Sequence, residues 1–413
     1  MSEKDFSPVA SGRRRIGLLI ALGALSAFGP LSMDLYLPSL PELGEDLEAT
    51  DSVAQLTMSM CMIGLALGQL LAGPLSDRIG RRRPLIAGVA VYVVASALCA
   101  LAQDIWTLIG LRSVQGLAGA AGIVIARAMV SDMFTGARAA RVFAALVVVT
   151  GLAPVLAPLA GGQMARFTDW RGLFVALAVI GALLLAASLA LPETLSPAAR
   201  HAGGLRETGR SFRALLRDRL FVGYALVLAF STCGMFVYIS LGTFVLQDEY
   251  GISTQAFSFV FAGNSLGLVL AANLGRFAGD RLGLRGLLVI GVAASTAGGA
   301  FALIADLAGW GLAALLAGVF LAVSSVGLVM PQATALAMGN HRARAGAASA
   351  VLGSAQFLTG AVIPPLVSAG GATGASMTAG ITACGTLSLV FCLLLTREGR
   401  EQEPALSAGR KDA

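Results

Sequence analysis

The sequence predicts an all-α membrane protein of twelve transmembrane helices, arranged as two pseudo-symmetric six-helix bundles. Three observations predict it. Of the 413 residues, 56% are hydrophobic and 13% charged, against about 25% charged in soluble domains. So little charge does not cover a water-facing surface, which excludes a soluble enzyme, a nucleic-acid-binding domain and a disordered chain. About twelve apolar runs each suffice for a helical crossing, which takes about 20 residues. The arginines collect in alternate loops between those runs.

The runs fall near 16–40, 53–75, 84–102, 105–128, 141–163, 170–191, 220–246, 255–277, 284–305, 309–330, 346–369 and 374–395. Gly and Pro inside them are tolerated in membrane helices, where neighbours and water satisfy freed backbone groups. Strand-like alternation is absent, which excludes a membrane barrel. The first run is longer than a signal-peptide core and no cleavage site follows it.

One set of loops holds Arg13–Arg15, Arg78 and Arg81–Arg83, Arg138 and Arg141, six arginines between 200 and 219, then Arg276, Arg281 and Arg285, then Arg342 and Arg344. The opposite set holds Arg166 and Arg171 and the acidic run Glu42, Glu45, Asp46, Glu48 and Asp51. All basic loops share one side only if the span count is even. Twelve spans and cytoplasmic termini are therefore expected, in a cell (inner or plasma) membrane. Sidedness accounts for the net charge of +6 without any nucleic acid.

The polar stretch 192–219 reads as a cytoplasmic linker between halves 1–191 and 220–396, with 397–413 as a cytoplasmic tail. The halves echo each other. Asp77-Arg78-Ile79-Gly80-Arg81-Arg82 after span two returns as Asp280-Arg281-Leu282-Gly283-Leu284-Arg285 after span eight, 203 residues later. Two parallel six-span repeats with a mid-membrane site between them is a transporter architecture. The five cysteines lie in apolar runs and both histidines in polar loops, so no metal site is expected. With no nucleotide loop and no Ser/His/Asp set, neither enzyme nor cofactor is expected.

Asp34 is the acid set well inside an apolar span, and Arg112 lies inside span four. An arginine in hydrocarbon costs about 2.5–3.5 kcal/mol on insertion scales and must find a partner inside the bundle. At 1.5 Å per residue both sit roughly 9–12 Å below the outer end. They share a level, so pairing or water-mediated coupling is expected if their helices adjoin. A carboxyl group that alternates between dry and cation-paired surroundings can take and release a proton.

Three further patterns carry structure. In Gly73-Pro-Leu-Ser-Asp77-Arg78-Ile-Gly80-Arg81-Arg-Arg-Pro84, Gly80 permits a tight reversal. Asp77 can cap a neighbouring helix, and Arg81 can pair with Asp132 at the inner end of span four. In span five, Gly151-Leu-Ala-Pro154-Val-Leu-Ala-Pro158-Leu-Ala-Gly161-Gly162 is a small-residue face that lets helices approach closely. Met58, Met62, Phe236 and Tyr238 are adaptable pocket walls, although core packing is their commoner use. The amides Gln115, Asn264 and Gln356 either line a cavity or bond between helices.

The span-two loop, Met33-Asp34-Leu35-Tyr36-Leu37-Pro38, the Arg112 segment, the span-five run and Arg344-Ala-Gly-Ala-Ala-Ser-Ala350 to Gln356-Phe357 together resemble the major facilitator superfamily. Within it they resemble the bicyclomycin/chloramphenicol-resistance-type branch of the drug/proton antiporters. The resemblance covers nearly the whole chain. It implies proton-coupled efflux of small, amphipathic, neutral antibiotics by alternating access, with the proton gradient as driving force and no cofactor. Drug, protons and the lipid bilayer are the implied partners of a monomeric protein.

The resemblance also implies roles. Asp34 and Arg112 couple protons. Gly73, Asp77, Arg78, Gly80, Arg81 and Asp132 form a conformational latch. Gly151, Pro154, Pro158, Gly161 and Gly162 form the antiporter motif, with Ala157 in place of its first glycine. Substrate contacts are expected from Met33, Tyr36, Met58, Met62, Gln115, Phe236, Tyr238, Asn264 and Gln356. Some cation-exporting relatives carry a second acid two turns before the span-one aspartate. Ser26 occupies that position here, which favours neutral drugs such as phenicols. The alternative on the same fold is a nutrient or metabolite importer.

Overall fold

The computed structural model describes residues 12–134, 136–197, 200, 205–339, 341 and 345–396. Spans two to six are Asp51–Ile79, Arg82–Ala100, Ile105–Met133, Gly136–Met164 and Trp170–Leu189. Span seven is Arg219–Phe244, prolonged by the π turn Val245–Glu249. Spans eight and nine lie in one helical run, Thr254–Leu307, broken at Gly283. Spans ten to twelve are Leu312–Met338, Ala345–Val367 and Gly374–Leu395. Among the described residues no strand occurs. Ten helices are long and apolar enough to cross a membrane, or eleven with the bent first span. Gly136–Met164, whose side chains are only partly described, supplies the twelfth. The predicted tail 397–413 and Arg344 lie outside the described residues.

Span one departs from the single run expected over 16–40. It consists of Gly12–Ser26 and Phe28–Asp34, followed by the 3-10 turn Leu37–Ser39 and the short helix Leu40–Asp46. The axis bends by 49° between Ile20–Ser26 and Phe28–Asp46. Pro30 has no N–H to donate to Ser26, so the ladder fails there, and Ala27 closes a tighter bond to the Ala24 carbonyl at 3.1 Å. Pro38 and Pro41 then start the two following turns.

Several helices outrun their apolar stretches. Span ten, expected to stop near 330, continues to Met338, and span four continues to Met133. A helix needs hydrogen bonds, not apolarity, so it extends into the interface where hydropathy has already fallen. The stretch read as the linker contains a helix. Leu205–Arg217 is helical, and Leu215 is buried against the last six helices in a cluster with Phe221 and Leu352. Asp218 caps span seven through the Leu220 and Phe221 N–H groups at 2.9 and 3.3 Å and contacts His341 Nε2 at 2.8 Å.

The sequence echo has a backbone counterpart. Gly80 and Gly283 both adopt left-handed φ, 100° and 67°, a conformation that glycine alone takes without strain. The end carrying these two turns is the basic end. The other, with Glu42–Asp51, is the acidic end. The usual solvent logic is inverted: Leu183, Leu274 and Leu366 are exposed, while Gln55, Arg112 and Gln115 are buried. The bundles meet along span two against eleven, span five against eight, and span one against seven.

Within the first bundle, spans two and four are in near backbone contact. A Cβ on Gly116 would collide with the Cys61 carbonyl, and one on Gly64 with the Ser113 carbonyl. Gly110, at the exposed end of span four, has open space around it. Gly116→Leu is expected to cost about 3 kcal/mol or more through overpacking and to leave little monodisperse protein in detergent by size-exclusion chromatography. Gly110→Leu should resemble wild type. Equal behaviour of the two variants would contradict the close packing.

Candidate functional site

Arg112 is fully buried at the centre of the first bundle. Its Nε donates to the Thr57 carbonyl at 3.3 Å, and its Nη1 donates to Gln115 Oε1. The guanidinium carbon lies 4.5 Å from the Tyr36 ring centre and 5.5 Å from that of Phe174. A desolvated cation–π contact is worth about 2 kcal/mol. Two rings and two hydrogen bonds therefore offset an insertion cost of about 2.5–3.5 kcal/mol without any carboxylate. Nη2 remains unpartnered.

Further hydrogen bonds fix these partners. Gln115 Nε2 donates to Ser96 Oγ at 2.7 Å, and Ser96 Oγ donates to the Tyr92 carbonyl at 2.7 Å. The Tyr36 hydroxyl meets Thr57 Oγ1 at 3.0 Å, and Thr57 Oγ1 donates to the Ala54 carbonyl at 2.7 Å. Tyr36 and Gln115, both expected to touch substrate, thus serve Arg112 in this arrangement.

Asp34 ends the second segment of span one and is 5% exposed. Spans one and four adjoin, with Gly122 packed against Phe28. Yet among the described residues no hydrogen bond or ion pair joins Asp34 to Arg112, or to anything else. The expected pairing is therefore absent from this arrangement. The reason is azimuth. Ser32 Oγ meets the Tyr92 hydroxyl of span three at 2.7 Å, and Asp34 projects about 200° further round the helix, away from its own bundle.

On the chain's other side, Gly161 of span five packs against the Leu35 carbonyl. The Leu37 and Pro38 carbonyls accept from Thr243 Oγ1 and Gln247 Nε2 of span seven at 3.0 and 3.1 Å. The rest of the span-five run lies on the same seam. Gly162 abuts Ser258, the Pro154 carbonyl accepts from Ser265 Oγ at 3.2 Å, and Gly151 approaches Val269. Pro158 lies between these contacts within the same helix.

Met62 and Phe236 converge on Gly360, where any side chain would strike both. The Phe236 and Phe357 ring centres are 6.1 Å apart. Tyr238 turns into the second bundle, with its ring centre 6.0 Å from that of Phe261. Its hydroxyl lies beside the Asn264 side chain, and Asn264 Nδ2 is buried with no hydrogen-bond partner among the described residues. Met33 and Met58 are buried. Gln356 Nε2 donates to the Leu352 carbonyl within its own helix at 3.2 Å.

The basic end carries a compact ion-pair network. Arg81 Nε donates to Asp132 Oδ2 at 3.0 Å, and Arg81 Nη1 donates to Ser76 Oγ at 2.7 Å. Asp77 pairs with Arg81 across the Gly80 reversal rather than capping a neighbouring helix, because the turn brings the start of span three back beside the end of span two. Ser76 Oγ also donates to the Gly73 carbonyl at 2.9 Å. Arg78 is exposed, and among the described residues it makes no ion pair.

The residue that sequence reasoning missed here is Glu193, in the chain leaving span six. It accepts from the Arg81, Arg82 and Leu195 N–H groups at 2.8, 3.2 and 3.1 Å, so it caps span three. It also fills the space beside Gly80 that a side chain would need. Thr194 Oγ1 donates to Asp132 Oδ2 at 2.9 Å. A glutamate following Leu-Pro at a span end was the only available signal. Thr57, Ser96 and Gln55 were likewise passed over.

A family model described as the Major Facilitator Superfamily matches residues 20–364. The chain belongs to that superfamily, and it is a membrane transporter rather than an enzyme. It is 38% identical over 392 residues to an uncharacterized MFS-type transporter, YdgK, of Bacillus subtilis, covering 94% of this chain and 97% of that one. It is 29% identical over 382 residues to a bicyclomycin resistance protein homolog of Haemophilus influenzae, covering 92% and 96%. It is 32% identical over 327 residues to a chloramphenicol resistance protein of Pseudomonas aeruginosa, covering 76% and 74%.

The network at the basic end has a pH signature. Burial opposes the charge on Glu193, but the N–H groups of Arg81, Leu195 and Arg82 and the Arg200 charge hold its carboxyl below the usual glutamate range. A carboxyl lowered in the folded state adds stability above the ordinary value of about 4.3 and loses it as pH falls through the lowered value. At neutral pH, Glu193→Gln should lower the melting temperature by about 2 °C. The gap to wild type should close below about pH 4. A gap that persists in acid would mean the charge contributes nothing.

Proposed function

We propose that this transporter is a proton-coupled exporter of small, amphipathic, neutral antibiotics of the phenicol or bicyclomycin type. It works by alternating access in a cell membrane, as a monomer, with the basic end in the cytoplasm and the acidic end outside. Residues 1–191 and 220–396 form the two moving halves, joined by 192–219. The observation that carries the reading is Asp34: a buried carboxylic acid without a partner among the described residues, on the side of span one turned away from its own bundle. The named relatives, one carrying bicyclomycin resistance and one chloramphenicol resistance in its description, support the cargo class.

An unpaired carboxylate out of water is expensive, so a proton on Asp34 is what makes its burial tolerable. A proton arriving from outside neutralises Asp34 and competes with drug. Rocking to the other side exposes the acid, which releases its proton as drug binds. Arg112 holds the first bundle's polar centre in place and responds to the charge on Asp34 through span one. Met33, Met58, Met62, Phe236, Tyr238, Asn264 and Gln356 are the cargo-facing set. Methionine and aromatic side chains adapt to several apolar shapes, and the Tyr238 hydroxyl and Asn264 amide supply hydrogen bonds. One charge moving through 100 mV gives about 2.3 kcal/mol, enough for roughly a fifty-fold gradient per proton.

Asp34→Asn should abolish pH-driven chloramphenicol export from proteoliposomes while the protein still inserts and stays monodisperse. Undiminished proton-coupled flux in that variant removes Asp34 as the carrier. Drug and proton should move in opposite directions under an imposed pH gradient. Movement together would establish the importing alternative.

A further inference from the structure

Gln55 lies in span two at the acidic end and is fully buried in the seam between bundles. Its Oε1 accepts from Ser240 Oγ of span seven at 3.2 Å and from Ser368 Oγ, after span eleven, at 2.9 Å. One carboxamide of the first bundle thus ties down two elements of the second. One turn earlier, Ser52 Oγ donates to the Ser368 carbonyl at 2.7 Å. With the Thr243 and Gln247 bonds to span one, these make a neutral ring of cross-bundle hydrogen bonds around the acidic end. Deeper along span two the seam is apolar, where Met62 and Phe236 crowd Gly360. It becomes polar again where Ser354 Oγ donates to the Ala66 carbonyl at 3.1 Å.

The balance at Gln55 is close. Its oxygen gains two hydroxyl donors, while its Nε2 is buried with no hydrogen-bond partner among the described residues. A buried donor left unsatisfied costs free energy comparable to the hydrogen bonds gained. In an open mouth, water satisfies the oxygen and the nitrogen alike. A clasp of this kind favours closure without locking it, as a gate that opens once per cycle requires. An ion pair at the same depth would be costly to break.

We infer that Gln55, gripped by Ser240 and Ser368, is a positioning residue that sets the open–closed equilibrium of the gate at the acidic end. The inference rests on the transport reading only for the meaning of opening; the clasp itself is independent of cargo and of protons.

The test uses the full chain in nanodiscs, with spin labels at Thr50→Cys and Asp248→Cys, two exposed positions on opposite sides of the seam. The five native cysteines are buried. Distances are read by double electron–electron resonance without drug or pH gradient. Wild type should show mainly the short separation. Gln55→Leu, which removes two membrane hydrogen bonds, should raise the ratio of long to short separations about tenfold, equivalent to ~1.4 kcal/mol. The Ser240→Ala, Ser368→Ala double variant removes the same bonds without touching Gln55 and should match it. That double variant carries the test if Gln55→Leu does not accumulate. Adding Gln55→Leu to it should bring little further change, because the sites act as one unit. An unchanged distribution in the double variant overturns the inference. Loss of drug transport with an unchanged distribution would count against the clasp and leave the efflux reading intact.

Discussion

A guanidinium enclosed by the first six helices, with no carboxylate paired to it among the described residues, is the constraint around which the polar interior is organised. Arg112 cannot be hydrated where it sits, so the protein surrounds it with substitutes for water. These are the Thr57 carbonyl, the Gln115 amide and the faces of Tyr36 and Phe174. They come from spans one, two, four and six, so a single charge fixes the relative positions of four helices. Neutral partners hold Arg112 on two of its nitrogens and over two rings, and Asp34 is not drawn into an ion pair. An acid committed to a buried pair would have to break it in order to titrate, at a cost of about 3–5 kcal/mol. An unpaired acid avoids that cost.

The two ends of the molecule are held by different chemistry, and depth explains the difference. At the basic end, charged groups do the holding: Arg81 with Asp77 and Asp132, and Glu193 on the backbone of span three. Water and headgroups are close, so charges there are affordable. At the acidic end of the seam, hydroxyls, amides and carbonyls do the holding. Arg171, at this end but outside the seam, is taken by Asp46, and its Nη2 reaches the Ala102 carbonyl. Charged contacts hold one end within a half, and neutral contacts join the halves at the other.

Much of this was legible in residue order. The Arg81–Asp132 pair follows from a signature loop and an acid at the next helix end, and the structure forms it. The two reversals at Gly80 and Gly283 follow from a repeated Asp-Arg-x-Gly. Other readings went astray for identifiable reasons. Asp77 reads as the cap of a neighbouring helix, but Arg81 across the turn is nearer. The Asp34–Arg112 pairing rested on equal depth, and depth says nothing about which way a side chain points. Span one read as a continuous helix because its apolarity is continuous, whereas the backbone responds to Pro30 and Pro38. Gln55 and Glu193 carry no spacing signature; each matters only through groups far away in sequence, at Ser368 and Arg81.

The sequence by itself determined the number of crossings, the repeat and the segregation of positive charge, because transfer into lipid and retention of charge act residue by residue along the chain. Only the tertiary structure decided which polar groups became partners. The rise per residue sets a height in the membrane, while azimuth and helix neighbours are set by close packing of small residues such as Gly64 and Gly116. Those contacts turned Tyr36 toward Arg112, Asp34 away from it, and Gln55 onto the opposite bundle.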